Sequence, residues 1–130
     1  MTQSRFLRIA AVLGGLAVAL GAFAAHGLKG RLDPEMLTVF ETGVRYQMYH
    51  ALAMLALAAG GQSLWSTRHA SRACCAWGTG IVLFSGSLYL LAVTGTRWLG
   101  AITPFGGVAF LVGWVFLAMA AGSAPGRDGR

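Results

Sequence analysis

Four apolar runs, at roughly 9–25, 44–61, 73–93 and 103–121, follow one another along this chain, and the stretches between and outside them hold all of its charges but Arg45. Each run has about the 17 to 25 residues that an α-helix needs to cross a bilayer. None shows the ten-residue alternation of a membrane β-strand. The pattern predicts an all-α membrane protein, a single domain over 1–130 built as a four-transmembrane-helix bundle. Between the first two runs, Asp33-Pro34-Glu35 carries helix-start chemistry. Asp33 is suited to cap, proline fits the first helical position, and the acid favours the positive end of the helix dipole. The second helix is therefore expected from Pro34. Its amphipathic start at 34–43 is expected to lie along the outer interface, with Leu37, Phe40 and Val44 on one side and Thr38, Glu41 and Arg45 on the other. Thr103-Pro104 predicts the start of the fourth helix in the same way, with Thr103 as the cap.

Composition supports the pattern. Of 130 residues, 56% are hydrophobic and 11% charged, and the mean hydropathy is +0.64, which leaves too little polar surface for a water-soluble globule. The net charge of +6 does not indicate nucleic acid as a partner, because the basic residues neither cluster nor alternate with exposed aromatics. They sort by membrane side instead. Arg5, Arg8, Arg68, Arg72, Arg127 and Arg130 fall on one side; Lys29, Arg31, Arg45 and Arg97 fall on the other, close to Asp33, Glu35 and Glu41. The positive-inside rule places both termini in the cytoplasm. Trp98 and Trp65 then read as outer and inner interfacial anchors.

The N-terminus has two readings. Arg5 and Arg8, the apolar stretch from Ile9 and Ala22-Phe23-Ala24 resemble a cleavable leader. A first transmembrane helix is preferred, because Ala10, Gly14, Ala17, Gly21 and Ala25 form a stripe of small residues of the kind that lets two helices approach closely in lipid. Gly106, Ala109, Gly113 and Ala120 form a second such face on the fourth helix. Gly14, Gly21, Gly106 and Gly113 are the expected helix-packing positions.

Polar residues within the runs are the remaining candidates for chemistry, because hydrogen-bonding groups are costly in hydrocarbon. Placed by depth, His26, Glu41, Arg45, Gln47, His50, Ser85 and Tyr89 fall in the outer leaflet. Glu41 and Arg45 are four apart and suited to pair on one face. Gly43, Gln47 and His50 share nearly the opposite face, and Ser85 and Tyr89 are expected to supply the partners of His50. A satisfied interhelical network is the plainer reading of such a set. Metal binding is not expected: His26 and His50 are the one plausible pair, and the adjacent Cys74 and Cys75 lie at the other face. No cofactor is implied. The chain contains no Gly-x-Ser-x-Gly elbow, P-loop or dinucleotide fingerprint. No Asp or Glu lies deep in a run, as a proton-coupled exporter requires.

Four ordered motifs, "GAFAAHGLKG" at 21–30, "FETGVRYQMYHALAML" at 40–55, "FSGSLYLLAVTG" at 84–95 and "ITPFGGVAFLVGW" at 102–114, resemble the small bacterial membrane proteins grouped as domain of unknown function 423. The animal transmembrane protein 256 group looks like a relative. The resemblance covers nearly the whole chain and implies a four-helix protein of the bacterial inner (plasma) membrane. It transfers no activity and no catalytic residue. Where such proteins commonly read "GAFGAHGL", this chain has Ala24, a small-for-small exchange. The expected function is that of an integral membrane component acting by binding or assembly in the lipid bilayer, as a homo-oligomer or within a larger membrane complex. A transporter or permeation unit is the second reading, and a lipid- or quinone-acting enzyme the third.

Overall fold

The computed structural model describes residues 1–124 and is helical almost throughout. Arg127 and Arg130, counted above among the cytoplasmic charges, lie outside the described residues. Helix α1 (Gln3–Phe23) runs into a π-helical turn at Ala24–Leu28. Helix α2 spans Pro34–Ala59 and a short α3 spans Gln62–Trp65. Helix α4 (Arg68–Gly80) continues through a second π turn at Ile81–Ser85 into α5 (Gly86–Thr94). A 3₁₀ turn at Arg97–Ala101 leads to α6 (Thr103–Ser123).

Local chemistry sets these boundaries. At the start of α2, the Asp33 carboxylate accepts the Met36 N–H at 2.8 Å and Pro34 occupies the first turn. Thr67 caps α4 through the Ala70 N–H at 3.3 Å. Gly95 stops α5 at φ 69°, a left-handed conformation that glycine adopts without a Cβ clash. Thr103 differs from expectation. Helix α6 begins there, but no side chain caps it, because the Thr103 hydroxyl bonds Ser87 Oγ on α5 at 2.7 Å. Losing the Asp33 cap typically costs about 1 kcal/mol, so Asp33→Ala is expected to lower the unfolding temperature in detergent slightly, read by circular dichroism, with helix content otherwise intact.

Three helical stretches among the described residues are long and apolar enough to cross a membrane: Gln3–Leu28, Arg68–Thr94 and Arg97–Ser123. Helix α2 is as long as these, at 26 residues. Its polar run, Arg45, Gln47 and His50, makes it less apolar. Residues 34–43, expected along the interface, continue into α2 as one helix, with Phe40 buried beside Ala24, Leu28 and Ala92.

The main core gathers Phe6 and Ala10 from α1, Met54 and Leu57 from α2, Cys74 and Trp77 from α4, and Phe110 from α6. Trp77 is fully buried at its centre. At the opposite end from Asp33, Gln3 donates to the Ala58 carbonyl at 2.6 Å and accepts from Gln62 at 2.9 Å, tying α1 to the end of α2. Trp65, expected as the inner interfacial anchor, packs edge-on against Phe6 with ring centroids 5.5 Å apart; Trp98 is exposed.

The seam of α1 runs through Phe6, Ala10, Ala17 and Ala24, a repeat of seven that follows coiled-coil-like packing. Gly14 falls beside that seam, and a Cβ there would meet nothing within 4 Å of this chain. Its assignment to the packing face is thereby corrected. A Cβ at Gly21 would make ordinary contact with Val44 at 3.4 Å. At Gly106 and Gly113 there is no room: a Cβ would collide with the Phe84 backbone in the first case and the Trp77 indole in the second.

Candidate functional site

The candidate residues divide into an interior set and an exterior set. Gln47, His50 and Ser85 are buried and Tyr89 is half-buried, whereas His26, Glu41 and Arg45 are exposed. The two faces of α2 that helical spacing distinguishes are thus the bundle face and the outer face. Glu41 and Arg45 form no ion pair within 4.0 Å. His26 lies in the π turn that ends the first helical stretch, far in sequence and burial from His50.

Inside the bundle Gln47, His50, Ser85 and Tyr89 each bond another helix, while the buried Trp77 indole N–H has no partner among the described residues. Gln47 Nε2 donates to the Leu13 carbonyl of α1 at 2.8 Å, and Gln47 Oε1 accepts from the Tyr89 hydroxyl of α5 at 2.7 Å. One amide thereby joins three helices. Ser85 Oγ donates to the Gly43 carbonyl of α2 at 2.7 Å. That approach requires a glycine, since a Cβ at Gly43 would stand 2.8 Å from the Tyr89 ring and 3.3 Å from the Ser85 carbonyl. Ser85 is the last residue of the π turn. Such a turn inserts one residue into the helical register, a feature with no clear signature in the sequence.

His50 has other partners than Ser85 and Tyr89, which correct the expectation above. Its Nδ1 lies 2.8 Å from the Tyr46 carbonyl one turn back, and its Nε2 accepts from the Trp114 indole N–H of α6 at 3.1 Å. Only a neutral ring protonated on Nδ1 satisfies both bonds at once. The ring stacks on Phe110 with centroids 3.6 Å apart and planes 6° from parallel. Trp77 stands beside it and packs edge-on against Trp114 at 5.1 Å. This aromatic surround of His50 was not foreseen. The signal available was the recurrence of Phe110 and Trp114 four residues apart on α6.

His50 lies 16 residues beyond Pro34 and nine short of Ala59, about 24 Å from one end of α2 and about 14 Å from the other at 1.5 Å per residue. Along α2 the candidates therefore run from near its start to past its middle, with the helix already packed into the bundle at Phe40.

Elsewhere, a cavity of about 410 Å³ opens where the start of α2 meets the end of α5, lined by Asp33, Glu35, Met36, Val39, Leu91, Gly95 and Arg97. Among the described residues no group of three or more His, Cys, Asp or Glu side chains is placed to hold a metal ion. Cys74 is buried and Cys75 exposed, and both are free thiols.

Comparison with known proteins settles the family. Residues 20–107 match the family described as "Protein of unknown function (DUF423)". The UPF0382 membrane protein YwdK of Bacillus subtilis (strain 168) is 47% identical over 116 residues, covering 89% of this chain and 94% of that protein. A UPF0382 membrane protein of Haemophilus influenzae is 44% identical over 116 residues, covering 89% and 92%. The UPF0382 inner membrane protein YgdD of Escherichia coli (strain K12) is 44% identical over 124 residues, covering 93% and 92%. No solved structure matches the chain. The chain belongs to the DUF423 family and is a multi-pass inner-membrane protein.

Proposed function

We propose that this DUF423 member is a four-span membrane component that works by binding or assembly at its outer surface, with an interior devoted to holding its helices together. The observation that carries this reading is the pairing of the buried polar groups: Gln47, His50, Ser85 and Tyr89 spend their hydrogen bonds on other helices or on backbone. A permeation path needs polar groups turned toward water, and a catalytic site needs them turned toward a substrate.

The fourth span in this reading is α2. At 26 residues it is about 39 Å long, enough for a bilayer, and its polar residues Gln47 and His50 face the bundle, where neighbouring helices satisfy them, while Glu41 and Arg45 lie on its outer face. An even number of spans returns the C-terminus to the side of the N-terminus. Arg5, Arg8, Arg68 and Arg72 mark that side as cytoplasmic, since at the other end Lys29, Arg31 and Arg97 are accompanied by Asp33 and Glu35. Reporter fusions are expected to read cytoplasmic after Arg72 and external at Gly30; a cytoplasmic signal at Gly30 inverts the topology. Native mass spectrometry of the gently solubilised protein tests the function itself. Retained protein partners or further copies are expected. A monomer that carries solute across vesicle membranes would favour transport instead.

A further inference from the structure

The outer face of α2 carries charge where a lipid-facing helix would be apolar. Its exposed positions include Thr38, Glu41, Arg45, Tyr49, Leu52 and Ala56, spaced by three or four residues as in the seam of a helix pair. Arg45 lies 11 residues into the helix, about 16 Å from its start. If α2 spans the bilayer as proposed above, on which this argument rests, the Arg45 guanidinium faces hydrocarbon, a costly placement for a cation. The obvious relief, the pair with Glu41 one turn away on the same helix, is not formed within 4.0 Å. Neither group has a hydrogen-bond or ion-pair partner among the described residues of the chain, and both are exposed.

We propose that this face is a homodimer interface, in which Glu41 pairs with the partner's Arg45 and Arg45 with the partner's Glu41. The stripe is self-complementary. Two copies in one membrane, related by a two-fold axis along its normal, bring like residues to like depth. Helical side chains lean toward the helix N-terminus, so an arginine one turn below a glutamate reaches the level of the carboxylate opposite. Two such pairs neutralise four charges, and Tyr49, Leu52 and Ala56 continue the contact below them. A lipid headgroup at Glu41 and Arg45 is the competing occupant, and it predicts a monomer in the experiment below.

The test uses two opposite charge reversals in the full chain. Glu41→Arg makes the stripe wholly basic, and Arg45→Glu makes it wholly acidic. By native mass spectrometry of copies with distinct mass tags, the unmodified protein is expected as a dimer. Each reversal alone should weaken self-association by on the order of tenfold or more, and an equimolar mixture should form the mixed dimer in preference to either like pair. That last result has no counterpart if the two residues act only within one helix. A monomeric unmodified protein, single reversals that dimerise normally, or a mixture without preference overturns the proposal. Should either reversal fail to fold, Leu52→Cys in a Cys74→Ala, Cys75→Ala background decides instead. An oxidised crosslink there, with none from Val18→Cys on α1, supports the interface; its absence overturns it. Thiol labelling of cysteines placed at Gly30 and Ser66 reports separately on whether α2 spans the membrane.

Discussion

Gly106→Leu is expected to destabilise the bundle more than any other single change considered, by about 3 kcal/mol or more. The collision falls on the Phe84 backbone N and Cα, within the π turn. A side chain can turn away from an added methyl, whereas a hydrogen-bonded helical backbone cannot. Relief therefore requires α6 to separate from the α4–α5 stretch, which also breaks the 2.7 Å bond between Ser87 and Thr103 at the same contact. Helix pairs in lipid depend on such close approach, since lipid supplies no hydrophobic drive between them. The loss should appear as a large drop in unfolding temperature in detergent and in membrane abundance. Gly14→Leu is the matched control: open space surrounds that position, and its stability should stay within about 0.5 kcal/mol of the parent. Equal losses at the two positions would mean that α6 does not pack where the structure places it.

The second large effect is expected at Gln47. Gln47→Leu keeps the approximate volume but removes the donor to Leu13 and the acceptor of Tyr89. The Leu13 carbonyl keeps its own helical bond. The Tyr89 hydroxyl is left without its acceptor in a half-buried setting, and an orphaned polar group there costs about 1 kcal/mol, at the low end of the range for buried ones. Interhelical bonds in membranes average only about 0.6 kcal/mol each, so a loss near 2 kcal/mol is the expected sum. By the same argument Tyr89→Phe, which removes only the hydroxyl, should cost less, about 1 kcal/mol. Thermal unfolding in one detergent measures both.

The legible parts of this fold are those that short-range chemistry decides. Asp33-Pro34-Glu35 announces a helix start because cap and proline geometry are set within four residues, and the Asp33 carboxylate holds the Met36 N–H as that pattern requires. The all-helical, apolar architecture follows from the hydropathy of the runs. Thr103 shows where the sequence stops speaking: its hydroxyl has a local use as a cap and a distant use on Ser87, and only the approach of α5 to α6 decides between them. His50 is the same case at larger scale. Helical spacing puts Gln47 and His50 on one face, and both are buried. It does not report the relative height of the neighbouring helices, and the π turn at Ile81–Ser85 shifts that height by a residue. Ser85 consequently meets Gly43, Tyr89 meets Gln47, and His50 meets Trp114 from α6. Gly14 failed for a related reason, because a seam with a period of seven and a stripe of small residues diverge over a few turns.

That Gln47, His50, Ser85 and Tyr89 spend their hydrogen bonds within the bundle is the claim on which the functional reading stands, and a double-mutant cycle between Gln47→Leu and Tyr89→Phe tests it most directly. If the amide and the hydroxyl are each other's partners, Tyr89→Phe should cost about 1 kcal/mol in the parent but regain stability once Gln47 is already leucine, because it then removes the orphaned hydroxyl, a coupling of about 1 kcal/mol or more. Unfolding temperatures of the four proteins in the same detergent give that number. Additive losses, or two single changes that leave stability untouched, would contradict the account and mean that Gln47 and Tyr89 are held for something other than each other.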